Sequence, residues 1–316
     1  MSGAIIEIAL NAAIFSMFFA MISSELMAAS AIVFRYEEST SKVFKFLVPI
    51  WEVTGTFFVF YAVNIEALVP DALPFIAFTF TPYILVFLIL YVGRNSAIIS
   101  AEYIWRNRII SKKMLYRVYA VITYILGLMI LIIFTAVISG AGVGFSNNSF
   151  NLFSFISFIP DDGFIIGSAV ILFGLASVFY DLRVRDYLPI AVIIVGMLVA
   201  GPSLLAMHDL TDKYLLIPAA VLTIAPAVLR IFPKYRFIAS SKLLIQGFLA
   251  SSSFLIIFSL YPWLLGRSLK ITTLLNSSVM QQQIFYTTII GGILLLMLTI
   301  VFFRVFSHVS QRGMGA

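Results

Sequence analysis

Two carboxylates set in apolar runs are the residues best suited to chemistry in this sequence. Glu25 stands within the run 6–34. Glu52 stands early in the run 46–69, inside Ile50-Trp51-Glu52-Val53-Thr54-Gly55-Thr56-Phe57. An ionisable group at membrane depth is costly, so it usually faces a protein interior or a water path and has work to do there. Burial and mutual repulsion suit such acids to carrying protons rather than standing as permanent ions. Hydroxyls of Ser23, Ser24 and Thr54 extend the set. The chemistry this points to is a proton relay. Plainer readings stand beside it: Glu52 snorkels to the interface, the two acids face different neighbours, or Glu25 pairs with a base such as Arg94.

The elements that must position these acids are membrane helices. Of the 316 residues 62% are hydrophobic and 11% charged, against about 25% charged in an ordinary globular domain. About twenty apolar residues cross a bilayer core. The sequence divides into nine such runs, at 6–34, 46–69, 73–96, 117–139, 162–182, 187–207, 214–232, 238–262 and 284–306. The expected fold is all-α: one polytopic helical domain over 1–316 in the plasma membrane. The polar stretches 140–162 and 266–283 read as surface loops. No cleavable signal is expected, since the first apolar run lacks a basic leader and is too long.

Basic residues give the orientation. With the N-terminus outside, the cytoplasmic segments hold Arg35, Lys42 and Lys45; Arg94 through Arg117; Arg183 and Arg185; Arg230 through Lys242; and Arg304 and Arg312. Only Lys213, Arg267 and Lys270 of the 20 Lys and Arg fall outside. That asymmetry is the positive-inside rule, and it predicts a cytoplasmic C-terminus. It also explains the net charge of +6 as topology, so no nucleic-acid partner is expected. Glu25 precedes Arg35 on one helix and Glu52 follows Lys45 on the next. At a rise of 1.5 Å per residue both carboxylates lie roughly 10–15 Å in from the cytoplasmic face. Arg94, near the inner end of the third helix, reads on its own as a snorkelling anchor.

Other chemistry is excluded. With no cysteine there is no thiolate metal site or iron–sulfur cluster. The two histidines, His208 and His308, fall in an outer loop and beyond the last helix. Haem held by the chain's own side chains is therefore not expected, and no metal is. The 11 methionines read as core filling. There is no P-loop and no nucleophile elbow. A lone catalyst is a poor description, and a non-catalytic subunit a better one.

These residues also carry a resemblance. The chain resembles subunit II of the cytochrome bd quinol oxidases, a family of nine-helix membrane proteins. That family opens its second helix on Trp-Asp-Gly-Asn and closes the span on Pro-Glu. Here Trp51-Glu52 is followed at the same distance by Pro70-Asp71. An acid-bearing first helix with Glu25, a basic end of the third helix at Arg94, Tyr261-Pro262-Trp263 and Asn276-Ser277-Ser278 look similar too. The likeness is clearest over 20–105 and weaker over 255–306. The departures are Glu52 for Asp, Val53-Thr54 for Gly-Asn, Phe57 for a second Trp, and one helix-1 acid in place of two, so the match is to a divergent member.

The resemblance implies a haem-free subunit paired in the membrane with a haem-bearing subunit I, forming part of the proton path and able to hold a structural quinone. By position it implies that Glu52 and Glu25 conduct protons and that Trp51 supports the subunit interface, with Thr54 and Arg94 in support. Two other readings use the same residues. One is a proton-coupled secondary transporter, which calls for discontinuous helices and repeated halves. The other is a structural or quinone-binding anchor of a different respiratory complex.

Overall fold

The computed structural model describes residues 3–101, 111–207, 210, 212–266 and 268–312, and of these it describes the backbone alone at 3–4, 41, 44–45, 47–52, 265 and 303–312. In chain order the helices are α1 (Gly3–Phe34), α2 (Tyr36–Leu68), α3 (Ala72–Thr79), α4 (Thr81–Ile99) and α5 (Lys112–Ser139). A two-residue hairpin, β1 (Val143–Gly144) and β2 (Ser149–Phe150), leads to α6 (Leu152–Ile156), α7 (Ile159–Phe179), α8 (Tyr187–Met207) and α9 (Leu216–Ile231). Then come α10 (Arg236–Ser240), α11 (Lys242–Ser259), a second hairpin of β3 (Trp263–Leu265) and β4 (Leu269–Lys270), α12 (Ile271–Leu274) and α13 (Ser278–Arg312).

Among the described residues eight helices are long and apolar enough to cross a membrane. Val53–Leu68 and Ala72–Thr79, bent by 120° at their junction, make a ninth if the pair is one span. In lipid every backbone polar group must find an internal partner, which a helix provides. The chain is an all-α, multi-pass membrane protein.

The boundaries differ from the sequence reading in two places with clear causes. The second helix starts at Tyr36 rather than 46, because Glu37 and Glu38 in its first turn complement the positive end of the helix dipole. The run expected over 73–96 is divided at Phe80. Pro82, which has no N–H to donate, sits in the first turn of α4, where none is needed. Elsewhere caps set the ends. Ser111 accepts from the Met114 N–H at 3.2 Å, and Gly140 closes α5 with φ 74°.

The Cα packing gathers the chain into two compact units. The first holds Met1–Ile22, Phe44–Ile76 and His208–Ala316. Its core joins Ile14 and Met21 of α1, Val53 and Phe57 of α2, and Leu295 of α13. A second cluster, with Ile8, Ile65, Leu68, Ile271 and Ile284, lies nearer the end of α2. There Asn276 donates through its side chain to the Ala67 carbonyl at 3.0 Å and through its backbone to the Leu68 carbonyl at 2.9 Å. Those carbonyls have no partner within α2, so Asn276 satisfies what the helix end leaves open. Between α9 and α11, Thr223 and Ser252 share a hydroxyl bond of 2.7 Å.

The second unit holds Ser23–Val43 and Ala77–Met207. Glycines bring the backbones of α7 and α8 into contact. A Cβ on Gly196 would lie 2.7 Å from the Gly167 carbonyl oxygen, and one on Gly167 would lie 2.5 Å from the Ala200 nitrogen. Small residues allow this approach, which lipid-embedded helices use in place of a hydrophobic driving force.

Candidate functional site

The second unit carries a buried ion pair. Helix α1 places Glu25, 4% exposed, and α4 places Arg94, 3% exposed. Arg94 Nη1 donates to Glu25 Oε2. Two further donors of the guanidinium, Nε and Nη2, go to Asn95 Oδ1 at 3.1 and 2.9 Å. The guanidinium carbon also lies 4.6 Å from the centre of the Tyr91 ring, a cation–π distance. One planar fork therefore meets a carboxylate, an amide and an aromatic face, a combination that arginine allows and lysine does not.

Tyrosines surround the pair. Tyr119 and Tyr180 are fully buried, and both lie within electrostatic reach of Glu25. The Tyr180 hydroxyl donates to the Ser24 carbonyl at 3.2 Å, tying α7 to α1 within this unit. Thr123 donates to the Tyr119 carbonyl at 2.8 Å. Moving two charges out of water costs several kcal/mol per ion, so a pair this deep persists only because the guanidinium and carboxylate meet each other and their other partners.

Arg94 thus does not snorkel. It points inward because an acid and an amide wait there, and it is 3% exposed. The structure realises the base-paired alternative for Glu25. Thr54 is buried in the first unit, beside the core residue Val53, and its hydroxyl has no hydrogen-bond partner. Trp51 and Glu52 lie on the backbone of α2, but their side chains fall outside the described residues, and so does the expected proximity of Glu25 and Glu52. His208 and the side chain of His308 fall outside them as well.

Several buried polar groups escaped the sequence reading. Glu7 and Asn11 lie one turn apart on α1, 4% and 3% exposed, each with an oxygen lacking a partner. The acid inside the first apolar run was the available signal. Asn64, toward the end of α2, accepts from Thr288 at 2.8 Å in the first unit. Gln246 on α11 is buried with both amide atoms unpartnered. Asp161, assigned to a loop, lies in the first turn of α7 and is fully buried. Among the described residues no group of three or more His, Cys, Asp or Glu is placed to hold a metal ion.

The fold and this site define a class: a multi-pass helical membrane protein with a buried, amide-braced carboxylate–guanidinium pair. No protein-family model and no curated protein sequence matches the chain. Among solved structures, a chain of the bd oxidase from Geobacillus thermodenitrificans matches with a TM-score of 0.70, covering 97% of this chain and 99% of that one, at 16% sequence identity. At that identity the likeness is one of fold, and it spans nearly the whole of both chains.

Proposed function

We propose that the chain is a haem-free, subunit II-like component of a quinol:oxygen oxidoreductase of the cytochrome bd type, seated in the plasma membrane with its C-terminus in the cytoplasm. The observation that carries this reading is the fold likeness to a bd oxidase chain over 97% of the length. Motifs around Trp51-Glu52 and Asn276-Ser277-Ser278 point the same way. In this reading a haem-bearing subunit I is the membrane partner, and the haems belong to it. Haem iron usually takes an imidazole, and the sequence has two histidines, His208 and His308, which read as lying in an outer loop and beyond the last helix. A structural quinone belongs to the same reading, with no residue assigned to it.

The proton role falls to Glu52 and Glu25, with Trp51, Thr54 and Arg94 in support. The geometry at Glu25 suits it to exchange. A proton arriving on the carboxylate ends the ion pair, yet the guanidinium keeps Asn95 Oδ1 and the face of Tyr91. Arg94 therefore keeps neutral contacts when Glu25 is protonated but loses its counter-charge, so in this reading the protonated state is a transient one. The transporter reading asks for broken helices; α8 and α9 run on through Pro202 and Pro226, and the 120° bend between Val53–Leu68 and Ala72–Thr79 is the break it would have to use.

The test is turnover by the purified complex. Glu52→Ala and Glu25→Gln should each slow quinol oxidation at least tenfold while haem content stays at the wild-type level. Wild-type turnover in both variants would remove the proton role and favour the structural-anchor reading.

A further inference from the structure

A second acid lies at the other end of the same unit. Asp161 is 0% exposed. Its Oδ2 accepts from the Ser139 hydroxyl at 3.0 Å, while Oδ1 has no hydrogen-bond partner. Ser139 Oγ in turn accepts the Ala141 N–H at 3.1 Å, so its single hydrogen is committed to the carboxyl. One turn earlier on the same face of α5, the Thr135 hydroxyl oxygen is 0% exposed and also lacks a partner. Two unsatisfied oxygens, both fully buried, are thus set on α5 and α7 at one end of the unit.

Among the described residues of the helices packed against it, no cation accounts for the carboxyl. Helix α8, packed along α7, has no charged residue, and neither has α6. The cations of α5 are Lys112, Lys113 and Arg117, near its other end, about 33–40 Å away along the axis. Asp162, the ionisable neighbour on α7 itself, has the same sign. The start of α7 favours an anion by about 0.3–1 kcal/mol. The last residue of α5 is Ser139, so the opposite end of a second helix dipole lies against the same group and offsets that gain. A bare Oδ1 on a buried anion costs more than either effect. A proton on Oδ1 removes the charge and turns an orphan acceptor into a donor.

We propose that Asp161, oriented by Ser139, is a proton-binding site that exchanges with the side of the membrane where the 140–158 loop lies. The step is the addition of one proton from water to Oδ1 and its return, with no bond to carbon made or broken. Along α5 the polar stripe that leads away from that side is interrupted. Tyr119, Thr123, Thr135 and Ser139 fall on one four-residue stripe, but Gly127 and Leu131 interrupt it, and Leu26 is packed so closely on Gly127 that a Cβ there would lie 2.1 Å from it. Between Thr123 and Thr135 the stripe has no hydroxyl for roughly 18 Å, so Asp161 and the Glu25–Arg94 pair are insulated from each other along it.

Infrared spectroscopy of the protein as purified from its native membrane, with whatever partner accompanies it, tests this. At neutral pH the spectrum should contain the carbonyl stretch of a protonated acid, and heavy-carbon labelling of aspartate carboxyls should shift it. Asp161→Asn should remove that component, and Ser139→Ala, which takes away a hydrogen bond, should move it to higher frequency. An acid band insensitive to aspartate labelling overturns the proposal. So does a labelled band that survives in folded Asp161→Asn. If that variant does not fold, a band unmoved by Ser139→Ala overturns it equally.

Discussion

Arg94 and Glu25 hold each other inside the second unit at a depth where neither is stable alone. Taking one partner from a buried pair leaves an uncompensated charge, which costs about 3–5 kcal/mol, whereas replacing both by apolar residues of similar volume is often neutral. Arg94→Met should therefore lower the thermal midpoint sharply, and Glu25→Leu/Arg94→Met should recover most of the loss. Equal damage in the single and double variants would mean the pair is not the source of that stability. Asn276→Ala strands the Ala67 carbonyl at the end of α2, while the backbone N–H keeps its bond to the Leu68 carbonyl, and should cost about 1–3 kcal/mol, read from the same melting curve. The sequence showed that Glu25 and Arg94 stand in apolar runs and even named them as possible partners. It could not choose between Arg94 and Glu52, because the choice depends on which helices adjoin and how each is rotated. Asp161 was missed for a simpler reason. A polar loop and the first turn of a helix look alike when Asp and Pro open the helix, as Ile159-Pro160-Asp161 does here.

At the scale of elements, glycine positions decide how closely helices approach. A Cβ on Gly167 would enter the backbone of α8, while one on Gly201 would meet nothing within 4 Å. Gly167→Leu should wedge α7 from α8 and cost about 1–3 kcal/mol or more. Gly201→Ala, in the same helix hairpin, should be neutral or slightly stabilising. Comparable melting temperatures for the two would show that α7 and α8 do not touch at Gly167. Nearly all the membrane helices were legible, because apolar length is a property of sequence. The break at Phe80 and the early start of α2 were not, since both lie within or beside runs whose average character is unchanged by one proline or two first-turn acids. The glycine contacts could not be read either. A glycine marks a close approach only once the facing helix is known.

At the scale of the whole molecule, basic residues set the proposed orientation and the fold likeness sets the proposed partner. The absence of cysteine makes the first directly measurable. Ser146→Cys, exposed in the loop after β1, should react with a membrane-impermeant thiol reagent on intact cells. Arg183→Cys, exposed between α7 and α8, should react only after permeabilisation. The reverse pattern would invert the topology and place Glu25 and Glu52 toward the outer face, ending the case for cytoplasmic proton uptake.

The central claim is that this chain serves a bd-type oxidase. The measurement that meets it most directly is a reduced-minus-oxidised visible spectrum of the tagged protein, purified gently from its native membrane, alongside a gel of what accompanies it. Bands of haems b and d, with a second large membrane subunit in constant proportion, are the predicted result. A spectrally silent protein with no such partner would contradict the account.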